Sequence, residues 1–126
     1  MSGLATQTFT VTRADLVRYA RASGDDNPIH QDDAVARQVG LPGVIAHGMY
    51  TMALAARAVE RWFPSAEVVS FGCKFTQPVV VPEDPGVEIE VAGVVSGESE
   101  GLTTVTLTVT CGGEKVLGMP RAVVRG

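Results

Sequence analysis

Helix and strand signals in this 126-residue chain are segregated, not interleaved. Every stretch with helical spacing lies before Pro64, and nearly everything after it is rich in Val and Thr and reads as strand. A parallel sheet built from βαβ units would mix the two along the chain. The segregation therefore predicts an α+β arrangement, with an antiparallel sheet and its helices set to one side. The length suits one domain, expected over residues 1–126, and is enough to bury a core without staples.

Thr6 to Val11 alternates apolar and polar residues, which predicts a short first strand. Thr12 with Asp15 resembles a capping box. Leu16, Val17, Tyr19 and Ala20 then share a helical face that Ser23-Gly24 should end. Asn27 and Pro28 suit the cap and first position of a helical turn, and a short helix is predicted from Asp32 to Val39, stopping at Gly40. From Gly48 to Phe63 no further Gly or Pro intervenes. Met49, Met52, Ala53, Ala55, Ala56, Val59 and Phe63 cover more than one face of that run, so a helix buried nearly all round is expected. Pro64 ends it. Four strands should follow: Glu67 to Val81, Val87 to Val95, Leu102 to Cys111 and Lys115 to Val124, with a hairpin turn at Gly112-Gly113. A long helix followed by long antiparallel strands predicts a curved sheet wrapped around that helix.

Several functional classes lose support at this stage. The net charge is −4 and the ten basic residues are scattered, which argues against a nucleic-acid partner. No run approaches the roughly 18 apolar residues of a membrane span. Met1 to Thr6 lacks the basic and apolar regions of a signal peptide. Cys73 and Cys111 sit in strand-like runs without metal-site spacing, and buried reduced thiols suit the cytoplasm. Asp25, Asp26, Asp32 and Asp33 around His30 lack the glycine of a calcium loop, so no metal is expected. Nucleotide-binding and G-x-S-x-G signatures are missing, and no cofactor is implied.

The segment Asp25-Asp26-Asn27-Pro28-Ile29-His30 carries the chemistry. A carboxylate and an imidazole five residues apart, with Pro28 stiffening the turn between them, can share one water molecule and move protons to and from it. Burial in a pocket would tune the carboxylate. The alternative is a loop acid capping the next helix and a surface histidine. Gly48 opens the long helix, where an amide free of intrahelical partners could face a polarised carbonyl. The same glycine could equally serve close packing. His47 beside it reads as structural support more readily than as a catalytic group.

Ser23-Gly24-Asp25-Asp26-Asn27-Pro28-Ile29-His30, followed by Ile45-Ala46-His47-Gly48-Met49, resembles the hydratase-2 motif of MaoC-like (R)-specific enoyl-CoA hydratases. Phe75-Thr76-Gln77-Pro78-Val79 and Pro82-Glu83-Asp84 are similar to the strand and turn that follow in that family. The resemblance implies a single hot-dog domain. It also implies Asp25 and His30 as the water-activating dyad, the Gly48 amide on the thioester oxygen, Asn27 and His47 in support, and no cofactor. The expected reaction is reversible hydration of trans-2-enoyl thioesters of CoA or acyl carrier protein to (R)-3-hydroxyacyl thioesters. The alternatives are a hot-dog thioesterase or one subunit of a heterodimeric 3-hydroxyacyl-acyl-carrier-protein dehydratase. A homodimer, or a heterodimer with another hot-dog subunit, is expected. The chain departs from the family in two places. Ala53 stands where some members carry a helix serine, and the stretch before the first strand is short.

Overall fold

The structure is a computed structural model that describes residues 2–126. Met1, the first residue of the segment read as lacking a signal peptide, lies outside the described residues. Strand β1 (Ser2–Val11) leads into α1 (Arg13–Ser23). A 3₁₀ turn (Pro28–His30), α2 (Asp33–Gln38) and the long α3 (Gly48–Trp62) follow. The remainder is β2 (Glu67–Phe75), β3 (Val87–Ser99), β4 (Leu102–Cys111), the two-residue β5 (Glu114–Lys115) and β6 (Leu117–Arg125). The antiparallel sheet runs in the order β1-β3-β4-β6-β2, with β5 on β4, and this is a hot-dog fold.

Local chemistry explains the helix ends. Thr12 and Asp15 form the full capping box, and Gly24 closes α1 at φ 79°, a left-handed conformation that a residue with a side chain adopts only under strain. Asp32 caps α2 by accepting from the amides of Ala34 and Val35.

Several strands depart from expectation: β3 runs on to Ser99, and the run from Lys115 to Val124 divides into β5 and β6. β1 begins at Ser2 because the long β3 supplies partners as far as Val95. The run from Glu67 to Val81 is not one strand: β2 stops at Phe75, and Val79–Val81 instead pairs with Val44–Ala46. Pro78 and Pro82 lack the amides that a continuous ladder would need.

β4 shows how the sheet makes its core, with Val105, Leu107 and Val109 turned inward and Thr106 and Thr108 outward. The inward side chains meet Ala55, Ala58 and Val59 of α3 in one cluster. Two further ties hold α3 to the sheet. Gln7, at a β1 bulge, donates to the Ala58 carbonyl at 2.9 Å, and the Trp62 indole N–H donates to the Ala5 carbonyl at 2.8 Å. The Trp62 ring lies so close to Gly93 that a Cβ there would sit 2.9 Å from it.

α3 is not buried all round. Thr51, Ala55, Ala58 and Val59 are covered, whereas Met49, Ala53, Arg57, Glu60 and Arg61 face outward. The charges at 57, 60 and 61 leave one face wet despite the alanines. Cys73 and Cys111 are free thiols, as expected, but half-buried, and partial burial pushes both above the ordinary thiol range.

Candidate active site

The loop after α1 is held by its own side chains. Asp25 donates its amide to Ser23 Oγ at 3.2 Å, and its Oδ1 accepts the Asn27 amide at 3.4 Å. Asn27 Oδ1 in turn accepts the Ile29 amide at 3.2 Å, capping the 3₁₀ turn that delivers His30. Short polar side chains make such turns because their oxygens reach amides two residues on. One carboxylate oxygen of Asp25 is thus spent on the loop.

His30 is 8% exposed, so the surface-histidine alternative does not hold. Its Nδ1 lies 2.8 Å from the Ile45 carbonyl. A carbonyl only accepts, so Nδ1 carries a proton, and in the neutral ring the lone pair is then on Nε2. Asp25 is exposed, contrary to the burial expected for its carboxylate.

His47 is 2% exposed, and its Nε2–H donates to the main-chain carbonyl of Asp25 at 3.0 Å. Its ring stacks on His30 with centroids 3.8 Å apart and planes 22° from parallel. Tyr19 packs on it at 4.7 Å, and Tyr50 on Tyr19 at 5.2 Å. Burial, helped by the charge of Asp15, raises the Tyr50 hydroxyl above its ordinary range.

A strap, residues 44–47, carries His47 and Gly48 to the site. Ile45 donates its amide to Ile29, Ala46 donates to the Val79 carbonyl, and Val81 donates to the Val44 carbonyl. Behind it, Arg13 donates to the Val81 carbonyl at 2.6 Å and to both oxygens of Asp33 at 3.0 and 3.1 Å. Asp33 also accepts the Val44 amide at 2.9 Å. That amide and the Arg13 guanidinium hold the Asp33 carboxyl below the usual carboxylate range.

A carboxylate oxygen of Asp25 and one ring nitrogen each from His30 and His47 all lie within 4.8 Å of one another. One water with two hydrogen bonds can bridge groups up to about 5.6 Å apart. The same cluster suits a metal poorly. A metal lies near the plane of each imidazole it binds, and two stacked, nearly parallel rings offer no common point; each ring also spends a nitrogen on a carbonyl.

Gly48 is the first residue of α3, and its N-cap His47 supplies no side-chain cap. The leading amides of such a helix lack intrahelical partners and carry partial positive charge. They border a cavity of about 570 Å³ lined by Asp25, His30 and His47 and by the apolar Phe75, Pro78, Val79, Val116 and Leu117. Gly48 also has a packing reason, since a Cβ there would lie 3.1 Å from the Phe75 ring. Ala53 lies elsewhere, in a depression on the outer face of α3. The buried hydroxyl residue at the cavity is Thr51, one helical turn beyond His47, and helical spacing from His47 would have found it. Tyr19 and Phe75 also went unforeseen, the first because it reads as part of a core face, the second because it reads as the interior of one long strand from Glu67 to Val81.

The fold and the acid–imidazole cluster place the chain among hot-dog proteins with a largely apolar cavity beside the cluster. Residues 2–112 match the MaoC like domain, and the chain belongs to that family. It is 40% identical over 79 residues to 3-hydroxyacyl-thioester dehydratase X of Mycobacterium tuberculosis, covering 63% of this chain and 28% of that protein. The chain therefore spans under a third of that relative's length. A solved MaoC-like dehydratase superposes with TM-score 0.94 at 34% identity, over 98% of this chain and 39% of that one. The (R)-hydratase from A. caviae involved in PHA biosynthesis superposes with TM-score 0.85 at 25% identity, over 98% and 93% of the two chains.

Proposed function

We propose that this chain catalyses the reversible addition of water to trans-2-enoyl thioesters of CoA or acyl carrier protein in fatty-acid metabolism, giving (R)-3-hydroxyacyl thioesters. The observation that carries this reading is the Asp25 carboxylate within water-bridging reach of a buried imidazole, at a cavity with a largely apolar lining. The free carboxylate oxygen of Asp25 accepts one hydrogen of the water and orients it. His30 Nε2 takes the other as the water oxygen bonds to C3. The C2–C3 π electrons shift toward the thioester, whose oxygen rests on the Gly48 amide, and the proton on His30 then passes to C2. Dehydration runs the same steps backward. Asn27 and His47 hold the loop that carries Asp25. No step calls for a metal or redox cofactor, and the names of the dehydratase and (R)-hydratase relatives support both the reaction and its stereochemistry.

The acyl tail lies along the apolar lining that includes Phe75 and Leu117. β2 is an edge strand with Val68 and Val69 37% and 42% exposed, and an apolar edge of this kind suits pairing with a second hot-dog domain, either a copy of this chain or a sister subunit. Among the described residues no helix is long and apolar enough to cross a membrane. Two free thiols fit a reducing compartment such as the cytoplasm. The test is hydration of short, medium and long enoyl-CoAs with product chirality determined. The reading fails if thiol is released without hydration, which is thioesterase behaviour, or if nothing turns over with or without a hot-dog partner. A sedimentation mass of one chain at micromolar concentration would remove the dimer.

A further inference from the structure

We propose that His47 is a positioning residue that sets both halves of the Asp25–His30 pair, an inference that rests on the hydration reading above. Its two contacts go to different members of the pair. The Nε2–H bond at 3.0 Å ties down the main chain of Asp25, and the ring face lies 3.8 Å from that of His30. Among the described residues no other side chain outside the loop contacts both: the Asp25 side chain bonds within its own loop, and the His30 ring bonds to Ile45. The slot itself is aromatic, between Tyr19 and His30, and a phenylalanine would fill it. A histidine there leaves Nδ1 buried with no partner among the described residues, a cost that packing alone does not explain. What the histidine adds is the donor to the main-chain carbonyl of Asp25.

Three variants separate the donor from the ring. H47F keeps the stacked ring and loses the N–H, H47N carries its amide at the position of Nδ1, and H47Q reaches the position of Nε2. Misplacing a reacting group by about 1 Å costs on the order of 10²-fold, so H47F and H47N should lose about 10- to 100-fold in kcat with KM within about threefold. H47Q should recover at least about tenfold over H47F. The ¹³C resonance of the Asp25 carbonyl reads the bond without turnover, and should move in H47F and return in H47Q. Wild-type rates in H47F, no recovery in H47Q, or a loss carried by KM alone would overturn the proposal. Failure of all three variants to fold would also overturn it, making His47 a structural residue. Wild-type protein without hydration activity would sink the hydration reading instead, while the carbonyl resonance still decides whether His47 holds Asp25.

Discussion

Gly48→Ala separates the two reasons for a glycine at the head of α3. The backbone there is ordinary for a helix, so conformational freedom is not at issue; space is. A methyl at Gly48 would lie 3.1 Å from Cδ1 and Cε1 of Phe75 and 3.3 Å from Cγ, a few tenths of an ångström inside comfortable contact. Phe75 is 56% exposed at the end of its strand, so its ring can move outward at little cost. The alanine also gains up to about 1 kcal/mol of helix propensity over glycine, less at a first position. Net stability should therefore change by no more than about 1 kcal/mol, which is about 4 °C in Tm for a domain of this size. Activity should respond far more. A donor aimed at a developing oxyanion is worth about 10²–10³ in rate, and the methyl with its displaced ring crowds that amide. A loss of about 10²-fold in kcat/KM corresponds to about 2.7 kcal/mol, well above the stability change. Steady-state hydration rates beside a thermal melt decide the matter. Activity within about threefold of wild type would show that the amide is not used. A fall in Tm beyond about 10 °C would show that Gly48 serves packing. The double variant G48A/F75L checks the cause, since relief of the clash should restore any lost stability.

Asp25→Asn keeps an oxygen for the Asn27 amide and so keeps the loop, but should lower kcat at least about 10²-fold; near-normal turnover would remove the acid from the mechanism. Asp33 has its pKa held below the ordinary value by the Val44 amide and then by Arg13, so it stabilises the fold above about pH 4 and that contribution is lost as pH falls through the depressed value. Melts of Asp33→Asn and wild type should therefore lie furthest apart near neutrality and converge in acid; a pH-independent gap would refute the assignment. Burial raises both cysteine thiols, so a thiol reagent at neutral pH should label Cys73 and Cys111 slowly in the native chain and rapidly in denaturant, and equal rates would contradict it. Phe75→Ala enlarges the apolar lining of the cavity and should shift the kcat/KM preference toward longer acyl chains; an unchanged chain-length profile would take Phe75 off the acyl path.

What could be read from the sequence was whatever depends on neighbours in the chain. The capping box at Thr12, the left-handed Gly24, the Asn27 cap and the β4 alternation are all local, and each was legible. The segment from Thr76 to Val81 was not. Its valines read as strand, and only pairing with residues more than thirty positions earlier turns it into the support of the Val44–His47 strap. The outer face of α3 was misread because alanines are ambiguous, while Arg57, Glu60 and Arg61 recur on one side and would have marked it as wet. The Arg13–Asp33 clamp and the Tyr50-Tyr19-His47-His30 stack join distant segments, and no spacing rule encodes them.

This division bears on how the site works. The proposed proton-handling pair, Asp25 and His30, sits on a loop and the 3₁₀ turn that ends it, where local hydrogen bonds shape the turn but cannot fix its position against the sheet. Position comes from long-range ties: the Ile29–Ile45 and His30–Ile45 bonds, the strap against Val79–Val81, and the arginine that grips both Val81 and Asp33. Breaking the clamp should therefore affect activity as well as stability. Arg13→Leu removes the donor to Val81 while leaving α1 its cap, and should lower kcat for hydration by about tenfold under conditions where the protein remains fully folded, because the strap carrying His47 and Gly48 would lose its backing. A variant that melts earlier yet turns over at the wild-type rate would mean that the clamp serves the fold alone, and that the strap is held by its backbone pairing.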